Sequence, residues 1–320
     1  MITLSNGHVI KYLAASGALA FDGLGWLWEW PLRWLGLLDP ALFTVVVKTL
    51  TRHPRKGNLR WWWPFGCIRF VHPRLDGLPR WLWWLQWINS LIPFGALGVI
   101  NAVGLTNPGI EHWCKVIWPK IRKSGIKTKL IVSIFGKPDE LIEMIEMINA
   151  LDDPDHLIVG IQINGACPNS GDDLLKNADE VIESCRRVKE LSRFPLSLSV
   201  SVVQFTRRIV AETREYIEFY TINSVPRFYF KGCDEKMNHL ARLGGGGISG
   251  KIVQGATWLL AQTLESFDVQ VAWPSIWEMD DLAKIRKLGF VDAVSFGSIF
   301  LCHPCRPTAI VRQDMKTKSD

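Results

Sequence analysis

KTKLIVSIF (residues 127–135), DELIEMIEMINAL (139–151) and HLIVGIQI (156–163) follow one another with only short breaks, and this run decides the fold. The outer two are short apolar stretches rich in β-branched residues, the composition of strands buried on both faces. Between them Leu141, Ile145, Ile148 and Leu151 fall on one face at helical spacing, so the segment reads as an amphipathic helix. Strand, helix, strand in this order implies two parallel neighbours joined by a crossover.

The same alternation extends outward. Toward the C-terminus come a helix over 172–191, strand 195–203, helix 206–219, strand 220–225, helix 250–262, strand 269–273, helix 280–288 and strand 291–299. Toward the N-terminus, 8–15 and 42–49 add two more strands, with a Trp-rich helical stretch between them. Eight strand–helix units predict a closed (β/α)8 barrel of the TIM type. An open doubly wound sheet is the rival, but no GxGxxG follows the first strand, which weakens its dinucleotide-binding form. Residues 52–104 fit no βα unit. They read as a Trp-rich insertion before the third strand, carried by one barrel domain over 1–320.

Composition agrees with such a fold. Of 320 residues, 48% are hydrophobic and 21% charged, which excludes a disordered chain. The net charge of +6 is spread along the chain and suits an anionic small molecule. With no interleaved basic and aromatic motif beside it, no nucleic-acid partner is expected. The seven cysteines are scattered and odd in number, which points to reduced thiols and the cytoplasm. Cys302 and Cys305 have CxxC spacing without a second ligand pair, so a loop with two free thiols is expected and no metal.

Tryptophan is the oddity: 16 in all, 11 of them between Trp26 and Trp87. Trp81 to Ile100 holds no charge over 20 positions, long enough to cross a bilayer. Gln86, Asn89, Ser90 and Pro93 argue against a lipid-exposed span. An interfacial or partner-binding surface and a packed aromatic insertion stand beside it as readings.

In a barrel the chemistry sits where strands end. Those positions hold Ser16 and Gly17, Lys48 and Thr49, Ser133, Asn164, Ser199, Asn223 and Ser224, Gly297 and Ser298. A single such Ser, Thr or Asn is a helix cap. Lys48 cannot cap an N-terminus, and a lysine there suits an anion or developing negative charge. Asn164-Gly165-Ala166-Cys167-Pro168-Asn169 brackets a turn with two amides and a thiol, able to meet an amide-bearing ring and to move a proton; an ordinary Pro-Asn turn is the plainer reading. Residues 244–250 (GGGGISG) form a glycine run opening a helix, suited to a phosphate or a ring face, or to a mobile linker.

Taken in order, these motifs resemble the dihydroorotate dehydrogenase family, FMN-dependent barrels of pyrimidine synthesis. Ala15-Ser16-Gly17, Val47-Lys48-Thr49, Arg55-Lys56-Gly57-Asn58, the NxxGLxNxG stretch from Asn101 to Gly109, Asn164 to Asn169, Asn223-Ser224, Gly246 to Gly250, Phe296-Gly297-Ser298 and Cys302 to Pro307 carry the likeness. The resemblance implies oxidation of dihydroorotate to orotate, with Cys167 as general base and Lys48 beside it. Lys48, Asn101, Val103, Gly104, Leu105, Asn164, Asn169, Asn223 and Ser224 would bind substrate. Ala15, Ser16, Lys48, Thr49, Ser133, Asn164, Ser199, Asn223, Gly250, Ser275, Gly297 and Ser298 would bind FMN. A cysteine base looks like the soluble class.

Departures lie on the flavin side. Ser199 stands where the family has a lysine, Ser133 where the soluble class has an asparagine, and Pro274-Ser275 where a glycine pair brings backbone N–H groups to the phosphate. Proline has none. The alternative is therefore a flavin-impaired, non-catalytic pyrimidine-binding descendant. The Trp-rich region implies a contact for a homodimer, a partner subunit or the membrane interface, with a lipid quinone among the conceivable acceptors.

Overall fold

The computed structural model describes residues 1–60, 66–72, 91–165, 178–202, 207–226, 240, 243, 246–289 and 293–317. Eight strands close into a parallel barrel: β1 (Tyr12–Ala14), β2 (Thr44–Val46), β3 (Lys129–Ile134), β4 (Ile158–Asn164), β5 (Leu196–Val200), β6 (Phe219–Ile222), β7 (Val271–Trp273) and β8 (Ala293–Phe296). Each pairs with its neighbours in chain order, and β8 returns to β1. Six lie within the stretches read as strands from the sequence; β4 runs one residue past its stretch, at Asn164, and β6 starts one residue before its own, at Phe219. Outside the ring pack α1 (Trp30–Trp34), α2 (Trp118–Lys123), α3 (Pro138–Asn149), α4 (Ala178–Leu191), α5 (Arg207–Thr213), α6 (Gln254–Glu265), α7 (Met279–Lys287) and α8 (Arg306–Lys316).

Local chemistry explains the regularity. Helix α3 starts with proline, whose missing N–H costs nothing at that position. The Glu140 carboxylate accepts from the Lys137 N–H at 2.9 Å, satisfying one orphan donor. Leu141, Met144, Ile145 and Ile148 then bury one face.

One end of the barrel is plugged. A hairpin of Ile2–Thr3 and Val9–Ile10 packs Ile2, Leu4 and Ile10 on Leu13, Val46, Ile131, Val159, Phe219, Ala272 and Ala293, so seven of the strands share one apolar layer with it. The opposite, C-terminal end stays polar. A four-stranded antiparallel sheet is built there from Ile68–Val71, Gly98–Asn101, Gly247–Gly250 and Val225–Pro226. It corrects the reading of the glycine run as a loop leading into a helix. Gly247–Gly250 is a strand, and α6 begins four residues later after a short 3₁₀ turn. Close approach is the reason: a Cβ on Gly250 (φ +117°) would lie 2.5 Å from Gly98 Cα. The insertion before β3 thus contributes two of this sheet's strands.

Far from that end, the buried Asp314 on α8 ties β1 to α7. It accepts from Tyr12 Oη and from both terminal nitrogens of Arg286, with Lys11 Nζ 3.7 Å away. Burial works to raise its pKa, but hydrogen bonds from Arg286 and Tyr12 and the charges of Arg286 and Lys11 outweigh it, holding the carboxyl at about 2. Asp314→Ala should cost about 2–3 kcal/mol in urea unfolding, because the tyrosine hydroxyl and guanidinium lose their acceptor. A folded pKa below the ordinary 3.8 means this stabilisation is present above pH 4 and fades as pH falls toward 2.

Among the described residues no helix is long and apolar enough to cross a membrane. Residues 73–90, which hold half of the uncharged stretch from Trp81 to Ile100, lie outside them.

Candidate active site

At the C-terminal end the strands surround a cavity of about 240 Å³. Its wall takes in Ser16, Lys48, Thr49, Asn101, Asn164, Ser199, Asn223, Ser224, Ser275, Gly297 and Ser298, together with Ala15, Val103, Leu105 and Gly250. The chain thereby brings together residues up to 283 positions apart. Two expected residues sit elsewhere: Ser133 is fully buried behind Thr49, and Gly104 turns with φ +66° against Asn58. Cys167 and Asn169 lie outside the described residues.

Thr49 is the hub. Its Oγ1 lies 3.0 Å from Ser16 Oγ, 2.9 Å from Ser133 Oγ and 3.1 Å from Asn164 Nδ2, which donates to it. A hydroxyl has one proton and two lone pairs, so three partners saturate it. The network continues from Asn164 Oδ1, which accepts from Asn223 Nδ2 at 3.2 Å, and from Asn223 Oδ1, which accepts the Ser224 N–H at 2.8 Å. Through Ser133 it reaches Gln162, whose Nε2 donates to Thr221 at 3.0 Å. Polar groups from β1 to β6 therefore fix each other's orientation, which is how a site keeps its amides aimed before any ligand arrives.

Lys48 is buried on this wall, its Nζ 5.7 Å from the centre of the Phe21 ring. It is the only charged side chain among the described lining residues. Across from it, the Gly57-Asn58 turn grips the NxxGLxNxG stretch. Asn58 Nδ2 donates to Ala102 O at 2.8 Å, and a Cβ on Gly57 would meet Thr106 Oγ1 at 2.1 Å. Asn107 holds the stretch from inside, accepting from Thr51 N and Gly109 N and donating to Leu105 O. These contacts present Asn101, Val103 and Leu105 to the cavity.

The thiols of Cys67, Cys114 and Cys302 are pushed up to about 11, 11 and 12 by burial, and that of Cys185 rises for the same reason. All four are held neutral. Sequence reasoning missed Gln162, Thr221, Ser249 and Ser295 on the wall, and Trp26, Trp28 and Trp277 at its edge. Gln162 alone carried a signal, as a lone amide inside an apolar strand.

A parallel eight-stranded barrel, plugged at one end and lined with amides, hydroxyls and one lysine at the other, is the architecture of a small-molecule (β/α)8 enzyme class. The sequence profile of the dihydroorotate dehydrogenase family matches residues 94–271, and the chain belongs to that family. It is 28% identical over 149 residues to the dihydroorotate dehydrogenase B (NAD(+)) catalytic subunit of Bacteroides thetaiotaomicron, covering 44% of this chain and 38% of that one. The subunit of the same name from Porphyromonas gingivalis is 26% identical over 221 residues, covering 67% and 60%. That from Bacteroides fragilis is 30% identical over 126 residues, covering 39% and 30%. The matched stretches span less than two thirds of each of these relatives.

Proposed function

We propose that this chain oxidises dihydroorotate to orotate, with Cys167 taking the proton from C5. One observation carries the reading: among the described lining residues a single buried cation, Lys48, faces a cavity whose other polar groups are neutral amides and hydroxyls. That set matches a cyclic diamide bearing one carboxylate, since charge-assisted bonds anchor the anion and amide edges pair with Asn101, Asn164 and Asn223. Lys48→Ala is expected to weaken orotate binding by roughly ten- to a hundredfold, the 1.5–3 kcal/mol of a hydrogen bond to a charged group. Titration calorimetry measures it, and an unchanged affinity would remove Lys48 from the carboxylate.

FMN, when bound, supplies the acceptor for the hydride from C6. The residues present suit its ring: Ser16, Thr49, Asn164 and Asn223 line the cavity with hydroxyls and amides joined in one network. A Cβ on Gly297 would meet nothing closer than Ala15 Cβ at 3.5 Å, leaving that backbone open to approach. The carbonyls of the Pro274-Ser275 turn are engaged by the fold. Trp258 Nε1 donates to Pro274 O and Gln254 Nε2 to Ser275 O, while Ser275 adopts φ +59° without being glycine. Proline has no N–H to give, so the phosphate contacts we assign come from Ser275, Gly297 and Ser298, all on the cavity wall.

The flavin-free, pyrimidine-binding alternative rests on Ser199, a hydroxyl on the cavity wall where a cation would stabilise reduced flavin. A visible spectrum separates the two. Flavin absorbance that bleaches anaerobically with dihydroorotate supports the enzyme. A colourless protein that cannot be reconstituted with FMN yet binds orotate supports the alternative. Fumarate, NAD and a quinone are the acceptors to compare. We place the chain in the cytoplasm, peripheral at the membrane, with the Trp-rich region also available to a second copy or a partner subunit.

A further inference from the structure

Gln162 lies on β4 two residues before Asn164, 2% exposed and still part of the cavity wall. Its strand neighbours Ile161 and Ile163 are apolar and buried. An amide in that place is stripped of water and needs partners, which an apolar residue would not. A carboxamide has two unlike ends, and here both are engaged. Oε1 accepts from Ser133 Oγ at 3.2 Å, and Nε2 donates to Thr221 Oγ1 at 3.0 Å.

Proton counting carries these two bonds to the ligand-facing groups. The far end of the network is anchored by the backbone, whose N–H can only donate. The Ser224 N–H donates to Asn223 Oδ1, so Asn223 Nδ2 donates to Asn164 Oδ1 and Asn164 Nδ2 to Thr49 Oγ1. Thr49 then has one proton for its two other partners, Ser16 and Ser133. Gln162 decides between them. Because its Oε1 takes the proton of Ser133, Ser133 accepts from Thr49, and Thr49 accepts from Ser16. Ser16 Oγ also lies 3.1 Å from Val47 O, a second acceptor on the protein side. Both acceptors draw the Ser16 proton inward, which leaves lone pairs for the cavity. With the Gln162 amide reversed the order would run backward, and Thr49 would donate to Ser16.

We infer that Gln162 is a positioning residue that fixes the proton order of the cavity wall, so that Ser16 meets a ligand as acceptor and Asn164 meets it as donor. Asn164 Nδ2 has a second N–H beyond the one given to Thr49. Ser16 Oγ and Asn164 Nδ2 lie 3.0 and 3.1 Å from the same oxygen, Thr49 Oγ1, so the pair suits a ligand edge with N–H and C=O side by side, that of a cyclic amide. For its ligand the inference rests on the dihydroorotate reading above; the proton order stands on the network alone.

Three variants test it. Gln162→Met keeps the side-chain length and removes both bonds. Ser133→Ala cuts the link to Thr49 with Gln162 in place. Gln162→Glu at about pH 5.5, kept protonated by burial, again offers one acceptor and one donor. Calorimetry reads orotate affinity, and NMR of protein carrying isotope-labelled asparagine reads hydrogen exchange of the Asn164 carboxamide, which needs no ligand. Gln162→Met and Ser133→Ala should each weaken orotate binding about tenfold and speed that exchange by at least about tenfold. The two combined should be no worse than either alone, and Gln162→Glu should match the parent chain in both measurements. Parent-like affinity and exchange in Gln162→Met overturn the inference. So do additive losses in the combination, or a Gln162→Glu chain as impaired as Gln162→Met, since either leaves the side chain with a packing role. Should Gln162→Met fail to fold, Ser133→Ala carries the comparison. A parent chain that does not bind orotate overturns the dihydroorotate reading, and the exchange rates then decide the proton order by themselves.

Discussion

Cys167→Ala should abolish turnover, lowering kcat by about 10²–10⁴-fold, while orotate affinity should stay within about threefold. The expectation comes from the family resemblance, and the described cavity wall offers no competing base. Among its described residues there is no Asp, Glu or His, and Lys48 is the one group carrying charge. Hydroxyls and amides orient a substrate but do not accept a proton from carbon near neutral pH. The described thiols Cys67, Cys114, Cys185 and Cys302 are all shifted upward by burial and make poor bases. The base that the family resemblance implies, Cys167, follows Asn164 by three residues. Asn164 itself is fixed at the end of β4 by Thr49 and Asn223, so the loop leaves the barrel from a rigid point. Orotate formation and orotate titration are measured on the same preparation. Full turnover in the variant would exclude the thiol; loss of both turnover and binding would make the residue structural.

The barrel was legible because its signal is local. Each strand is a short apolar run, each helix a 3.6-residue pattern, and both can be seen without knowing what they touch. The polar strand ends were legible for a related reason: Lys48, Thr49, Asn164 and Asn223 interrupt apolar runs where desolvation would otherwise select against them. What stayed hidden depends on partners distant in sequence. Tyr12 and Asp314 are 302 residues apart, and nothing near either announces the other. Gly247–Gly250 was read as a loop because glycine is a poor strand former in isolation. Its pairing with Gly98–Asn101 is set by close backbone approach, a property of two segments at once. Thr221 on the wall is indistinguishable by type from any β-favouring threonine. The tryptophans divide likewise: Trp113, Trp273 and Trp277 are core, whereas Trp34 is almost wholly exposed, and side-chain chemistry alone does not sort them.

Glu29→Gln should flatten the alkaline side of the stability profile and leave the variant about 3 kcal/mol more stable than the parent at pH 8.5. Glu29 Oε2 accepts from Trp26 N at 2.8 Å, whereas the buried Oε1 has no hydrogen-bond partner among the described residues. Burial is the largest influence and raises the carboxyl to about 8; the Trp26 N–H and the Arg33 charge oppose it and lose. An unfolded glutamate titrates near 4.5, so between these values the folded chain binds a proton that the unfolded chain releases. Stability is therefore fully present below pH 4.5 and falls as pH rises toward 8. Each unit of difference is worth about 1.4 kcal/mol, less what relaxation and water entry recover. Glutamine keeps the acceptor for the Trp26 N–H and cannot ionise. Below pH 5 the two proteins should match within about 1 kcal/mol, since a neutral carboxyl and an amide make similar demands there. Urea unfolding at a series of pH values reads the effect, and parallel curves for the two proteins would refute it. Because Glu29 caps the turn that seats Trp26 and Trp28 at the cavity edge, near-ultraviolet circular dichroism of the parent alone should weaken above pH 8 as the stacked pair loosens.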